Sequence, residues 1–253
     1  MNNKNIICSA HQPAFLPWLG LIHKILVSDI FIFMDIAKFR KRAFMHRNKI
    51  EINNSSHYLG LKLDDTSDKL YCDEIKISKH NLNCLSDVAK KIDHTYKKSK
   101  YKNEIDEFIS NTILDIKFDT LNSIFFNQIN YICKKLNIKT NIIKESEILS
   151  KAETIELGAS HRLLVHAKRT NAKIYMTGIN SINYLDTKIF ENNLVEHVVQ
   201  KFDYSVFKKY QNTNEPLSFI HQLAFLGFEK LGDSLKQEQI NKEKIITSIV
   251  KND

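Results

Sequence analysis

Between His11 and Trp18 the chain reads HQPAFLPW, a histidine and a glutamine set directly before two prolines that flank an apolar tripeptide. Two of the three prolines in 253 residues, and the only tryptophan, fall in this stretch. Proline fixes its own φ and biases the residue before it toward extended backbone, so Gln12 and Leu16 are expected to be extended and the loop stiff. A stiff loop can hold an imidazole and a primary amide ready for a ligand without ordering them on binding. Histidine titrates near pH 6.5 unperturbed, which suits proton transfer. The same stiffness also fits a plain strand–helix connection around a satisfied histidine, and the residues alone leave both readings open.

A second group is KFRKRAFMHRNK, residues 38–49, with six cations in twelve residues: Lys38, Arg40, Lys41, Arg42, Arg47 and Lys49. Guanidinium groups grip phosphate through paired hydrogen bonds. Phe39, Phe44 and His46 interleave with the charges, as in grooves that track single-stranded nucleic acid. A solvated charged loop has the same composition.

Other candidates are weaker. Cys8 lies three residues before His11, so on an extended strand the two side chains start on opposite faces, and a buried thiol is expected. His161 and His166 fall about 140° apart around a helix, poor spacing for a shared metal. The four cysteines (8, 72, 84 and 133) form no C-x-x-C pair, so no metal site is expected. Neither G-x-x-x-x-G-K-[ST], G-x-G-x-x-G nor G-x-S-x-G occurs, which removes the common phosphate loops and the hydrolase elbow.

These residues need elements to position them. IIC at 6–8 reads as a buried strand that delivers His11 to its end, where ligand sites of α/β sheets gather. From Trp18 to Ser28 the apolar spacing is helical, with Trp18, Leu21, Ile22, Ile25 and Leu26 on one face. That leaves Lys24 opposite, with Gly20 and Ser28, facing solvent or a ligand. DIFIFMD at 29–35 reads as a central strand. Further strands are expected at 44–52, 58–63, 75–77 and near TNIIKES, and a short one at 174–178. From about residue 85 the pattern turns helical, with amphipathic stretches through Leu136 and another at 154–170. The expected fold class is α/β. Its mixed sheet comes mainly from the N-terminal third and the strand near 174–178, with packed helices from about 85 onward. Residues 1–232 are expected to form one domain and 233–253 a peripheral helix.

The hydrophobic fraction of 43% and charged fraction of 26% are ordinary for a globular chain. A formal charge of +8 favours anionic partners such as phosphates and nucleotides. The first residues lack a secretory pattern and no run is long enough to span a bilayer, so reduced cysteines and a cytoplasmic location are expected.

Taken together, HQPAFLPWLGLIHKI, SDIFIFMD, KRAFMHRNKI, TGINSINYLD and LSFIHQLAFLG resemble the WbqC-like family of bacterial proteins. His11, Gln12, Pro13, Leu16, Pro17, Trp18, Gly20, Lys24, Asp29, Asp35, Lys41, Arg47, Asn48, Gly178, Tyr184 and Leu185 stand at what look like the family's recurrent positions. The sequence departs from that pattern at Ile36, Lys38, His46 and His221. The resemblance implies work in O-antigen and other surface-polysaccharide (lipopolysaccharide) biosynthesis, by acyl or aminoacyl transfer to the amino group of a nucleotide-linked deoxyamino sugar. On that footing His11 is the expected base, Asp35 its orienting partner, and Gln12 or Asn48 the donor to the oxyanion. Lys24, Lys41 and Arg47 are expected to hold the diphosphate, with Trp18, Gly178 and Tyr184 also lining the acceptor site. No permanently bound cofactor or metal is expected; the acyl donor would be a thioester of coenzyme A or of an acyl carrier protein. The rival expectations are a non-catalytic partner of a sugar-modifying pathway and a basic nucleic-acid-binding protein. No recognised binding motif accompanies the charge that motivates the latter.

Overall fold

The structure is a computed structural model that describes residues 5–63, 67, 69–114, 120–239 and 246–248. Strand β1 (Ile7–His11) leads through the proline loop into helix α1 (Leu19–Val27) and then strand β2 (Ile30–Phe33). A hairpin of β3 (Arg47–Ile52) and β4 (Ser55–Gly60) follows, then helices α2 (Lys79–Tyr96), α3 (Lys102–Thr112) and α4 (Leu121–Lys135). The chain continues with β5 (Asn141–Lys144), α5 (Lys151–Glu156), α6 (Ala159–Arg169), β6 (Ile174–Thr177), α7 (Lys188–Glu191) and β7 (Glu196–Gln200). It closes with α8 (Ser205–Lys208), α9 (Phe219–Gln239) and β8 (Ile246–Ser248).

Five strands run parallel in the order β5-β2-β1-β6-β7, and β8 joins β7 antiparallel. Ser9 of β1 lies beside Met176 of β6, so the two strands finish side by side at the carboxyl edge. Alternation sends Ile7 toward α1, where it packs with Val27, Met176 and Val198. The opposite face carries Tyr175, whose hydroxyl meets His166 of α6. Helices therefore cover both faces. Strand order and coverage are those of a doubly wound sheet of the 3-2-1-4-5 kind, in which the direction of strand addition reverses between β1 and β6. Ligands of such sheets bind outside the carboxyl ends of the strands at that reversal.

The expected strands at 6–8, 29–35, 174–178 and near TNIIKES are present, and together with β7 and β8 they build the sheet. The segments at 44–52 and 58–63 pair instead with each other. Asn53 and Asn54 take φ of 50° and 60°, the turn that closes a two-residue hairpin, so this pair stays a separate ribbon. Residues 75–77 form no strand; Lys76 makes only an isolated bridge to Thr120. The helix expected at 154–170 is two, α5 and α6, broken at Leu157–Gly158.

Helix α1 corrects the reading of Lys24. Its apolar stripe faces the core, yet His23 and Lys24 are buried as well, because Lys24 lies against β1 with its ammonium on the Ala10 carbonyl, and Gln200 of β7 and Phe202 cover His23. The chain end also differs from a peripheral helix over 233–253. Helix α9 runs through 233 to Gln239 and Ile246–Ser248 extends the sheet, while 240–245 and 249–253 lie outside the described residues. At Gly227 the φ of 69° interrupts α9, and a side chain there would meet the Tyr101 ring at 2.5 Å. No helix among the described residues is long and apolar enough to cross a membrane.

Candidate functional site

The loop after β1 is anchored at every turn. The Leu16 amide donates to Gln128 Oε1 at 2.9 Å, and its carbonyl accepts Asn48 Nδ2 at 2.6 Å. Phe15 N donates to the Phe44 carbonyl at 3.2 Å, and Phe219 N to the Pro17 carbonyl at 2.9 Å. Pro13 through Pro17 are buried. Leu16 is not extended, as its place before Pro17 suggests, but sits at φ 48°. A non-glycine residue there costs about 1–2 kcal/mol, so the anchors must over-determine it. The loop is stiff because Asn48 and Gln128 clamp it as well as because of its prolines.

That rigidity fixes His11, half-buried at the carboxyl end of β1. Its Nδ1 lies 2.7 Å from the Gln12 carbonyl, and a carbonyl only accepts, so Nδ1 carries the proton. Nε2 is left with its lone pair and has no hydrogen-bond partner among the described residues. Burial first, and the neighbouring Lys24 ammonium second, push the imidazole down to about 4. At neutral pH this is a neutral base with a fixed tautomer.

Lys24 lies behind it. Its ammonium donates to the Ala10 carbonyl at 3.1 Å, its only hydrogen bond among the described residues, and 6% of the residue is exposed. Burial lowers it from 10.5 to about 8. Rather than reaching into solvent to clamp a diphosphate, Lys24 places a buried positive charge under the strand end.

Two further expected roles change. Asp35, at the end of β2, does not orient His11: its carboxylate accepts Ser146 N at 3.0 Å and Ser146 Oγ at 2.6 Å, joining the ends of β2 and β5. The Gln12 carbonyl takes the orienting place instead. Asn48 offers nothing to an oxyanion, since its amide is spent on Phe15, Leu16 and Lys49 N. The Gln12 side chain has no hydrogen-bond partner among the described residues and remains the donor available beside His11.

The structure places the other expected residues in four neighbourhoods. Trp18 stands edge-on to His11 with ring centroids 5.2 Å apart. Gly178 and Tyr184 follow β6, the strand next to β1; Tyr184 is exposed, and nothing crowds the α-carbon of Gly178. Lys41 lines a separate groove of about 350 Å³ with Phe39, His46, Leu61, Lys62 and Leu63. Arg47 lies at the foot of the β3–β4 ribbon with its guanidinium 4.3 Å from the Tyr58 ring centre. Gly60 is required opposite it, because a side chain there would fall 2.4 Å from the His46 carbonyl.

The expected spectators are such. Cys8 is buried on the face away from His11, and burial pushes its thiol up to about 12. His166 is buried between Glu145 Oε1 at 2.8 Å and the Tyr175 hydroxyl at 3.0 Å, while Arg162 pairs the same carboxylate at 2.6 and 2.5 Å. Burial alone would raise Glu145, but hydrogen bonds from His166 and Arg162 hold it below the usual carboxylate value. This network ties α6, β5 and β6 together beneath the carboxyl edge. His221, one of the departures from the family pattern, is buried between Tyr96 and the Tyr210 carbonyl. No cluster of three metal-binding side chains exists among the described residues.

Sequence reasoning missed Gln128, Ser146 and Tyr58. Gln128 and Ser146 are far in sequence from what they touch and no local pattern marks them, whereas Tyr58 comes to Arg47 and Lys49 through the hairpin that Asn53 and Asn54 close.

The WbqC-like protein family's model matches residues 12–232, nearly the whole chain. The chain belongs to the WbqC-like family. No curated protein and no solved structure matches it. The WbqC-like match takes in Gln12, the proline loop, Lys24, Arg47, Asn48 and Gly178, and begins one residue after His11.

Proposed function

We propose that the chain is an N-acyltransferase acting on the amino group of a nucleotide-linked deoxyamino sugar in surface-polysaccharide biosynthesis, with O-antigen as the leading case. The observation that carries this reading is His11: a neutral imidazole, Nδ1 tied to the chain and Nε2 open, at the strand reversal of a doubly wound sheet.

In this reading the sugar amine attacks the carbonyl carbon of an acyl thioester. A C–N bond forms, the carbonyl electrons move to oxygen, and the nitrogen becomes cationic. His11 Nε2 takes the surplus proton. As the carbonyl re-forms, the C–S bond breaks, and the strongly acidic imidazolium gives its proton to the departing thiolate. Gln12 donates to the oxyanion, and the Lys24 charge favours negative charge at the strand end. The reading includes no permanent cofactor. The thioester belongs to coenzyme A or to an acyl carrier protein, both anionic and suited to a chain of net charge +8. A cytoplasmic location goes with those donors.

The test is incubation with a panel of nucleotide-linked amino sugars and acyl-coenzyme A or acyl carrier protein, scored by acceptor mass gain and thiol release. His11→Ala is expected to lower kcat by about 10²–10⁴-fold with little change in acceptor KM. Arg47→Ala is expected mainly to raise acceptor KM, by about 10- to 150-fold. No product with any donor, and unchanged polysaccharide in cells carrying His11→Ala, would leave the chain a non-catalytic partner.

A further inference from the structure

Beyond Trp18 the rings continue outward onto the surface. Trp18 and Phe44 have centroids 6.0 Å apart, and Phe44 and Tyr58 6.4 Å apart with their planes within 33°. Trp18 is half-buried, whereas Phe44 is 40% and Tyr58 52% exposed. Exposed rings in a row on a folded domain mark a binding surface more often than chance.

Cations stand beside them. The β3–β4 register sets Lys49 directly across from Tyr58, with Arg47 on the same ribbon face. The Lys49 ammonium lies 2.8 Å from Glu215 and is spent there. Among the described residues the Arg47 guanidinium has no carboxylate partner; it lies over Tyr58, and its Nε is buried without a hydrogen bond. Flat exposed rings beside a guanidinium that holds no carboxylate among the described residues suit a flat π-system that carries a nearby anion.

We propose that Phe44 and Tyr58 form the stacking surface for the nucleobase of a nucleoside diphosphate, with Arg47 meeting its phosphate and Trp18 joining this ledge to His11. The inference rests on the nucleotide-linked acceptor proposed above and assigns its base to particular residues. The acceptor's amino sugar lies toward His11 and its base out on the hairpin. Base–aromatic stacking tolerates different bases, so the ledge supplies affinity for a nucleotide handle, and the inner site selects the sugar.

Trp18 is the only tryptophan, so its fluorescence reports occupancy directly. The chain is titrated with UDP, dTDP, GDP, CDP and inorganic pyrophosphate, alongside Phe44→Ala and Tyr58→Ala, whose folding is checked by circular dichroism. At least one nucleoside diphosphate is expected to bind more than about 10-fold tighter than pyrophosphate. Each substitution is expected to weaken that nucleotide by about 10- to 100-fold and to leave pyrophosphate affinity unchanged. Nucleotide affinity that survives both substitutions overturns the ledge while the acceptor reading stands. Acyl transfer to free amino sugars with no nucleotide binding overturns the ledge and the nucleotide handle together. Random oligonucleotides binding tighter than any mononucleotide would also overturn it, in favour of a nucleic-acid surface.

Discussion

Replacing Lys24 with methionine should make the protein more stable and less useful. The side chain is 6% exposed and its ammonium has one hydrogen bond, to the Ala10 carbonyl. Burial lowers it from 10.5 to about 8, and at about 1.4 kcal/mol per pH unit the charged form costs about 3 kcal/mol of stability. Methionine has similar length and no charge. Losing the bond to Ala10 gives back about 1 kcal/mol, so the net expected gain at pH 7 is about 2 kcal/mol. The sign follows from proton linkage. The unfolded chain holds this proton up to pH 10.5 and the folded chain only up to about 8, so between those values the unfolded state binds more protons. The burden is complete below about pH 8 and fades as the pH rises toward 10.5. Urea unfolding of both forms at pH 7 and pH 10 measures this, and the methionine variant's advantage should shrink at the higher pH. Histidine NMR should also show His11 titrating above its present value of about 4, because the second of its two lowering influences is gone. A Lys24→Met variant that is less stable at pH 7, or whose advantage grows with pH, would refute the buried charge.

Asn48→Ala removes donors to Phe15 and Leu16 and an acceptor for Lys49 N, all at a buried site, and should cost about 2–4 kcal/mol in chemical denaturation. If the loop is clamped as described, Trp18 fluorescence should shift in the same variant before global unfolding. Acid should destabilise the protein between about pH 6.5 and 4, because His11, His23 and His46 are each held down to about 4 by burial, and unfolding lets them charge. Melting temperatures measured from pH 7 to 4 should fall steadily, and a flat profile would contradict three buried neutral imidazoles. Among the thiols, half-exposed Cys84 should alkylate first in the native protein while buried Cys8, Cys72 and Cys133 stay protected, as read by mass spectrometry. Cys8→Ser should keep any turnover the chain has, since a thiol pushed up to about 12 is a poor nucleophile.

Much of the sheet was legible because its strands advertise themselves locally. ICSAH, DIFIF and IYMT are short apolar runs with turn or polar residues at their ends, and their burial on both faces needs no knowledge of the partner strand. The helices through Leu136 carried their apolar stripes equally openly, and Leu121, Ile124, Phe125, Ile132 and Leu136 are all buried. EHVVQ of β7 was missed, since polar residues at both ends leave only two clearly apolar positions. Residues 44–63 looked like sheet strands because pairing preference is visible in sequence while choice of partner is not. The paired asparagines at 53 and 54, which close the ribbon on itself, were the signal that was available.

The sequence by itself determined that a proline-stiffened loop would present His11 and Gln12 at the end of a buried strand, since alternation and proline geometry act over a few residues. It determined equally that Cys8 and His11 would part to opposite faces. Tertiary structure alone decided what each polar group does there. Lys24 is buried because the helix face that local periodicity leaves to solvent lies against β1 in the folded sheet, where its ammonium meets the Ala10 carbonyl. Asp35 belongs to Ser146 rather than His11, and Asn48 to Leu16 rather than a ligand, because hydrogen-bond partners are set by which distant segments pack together. Hydropathy and turn chemistry are local quantities, readable along the chain. The protonation and partners of a buried polar side chain depend on the dielectric and the neighbours that folding brings to it, and those exist only in the assembled structure.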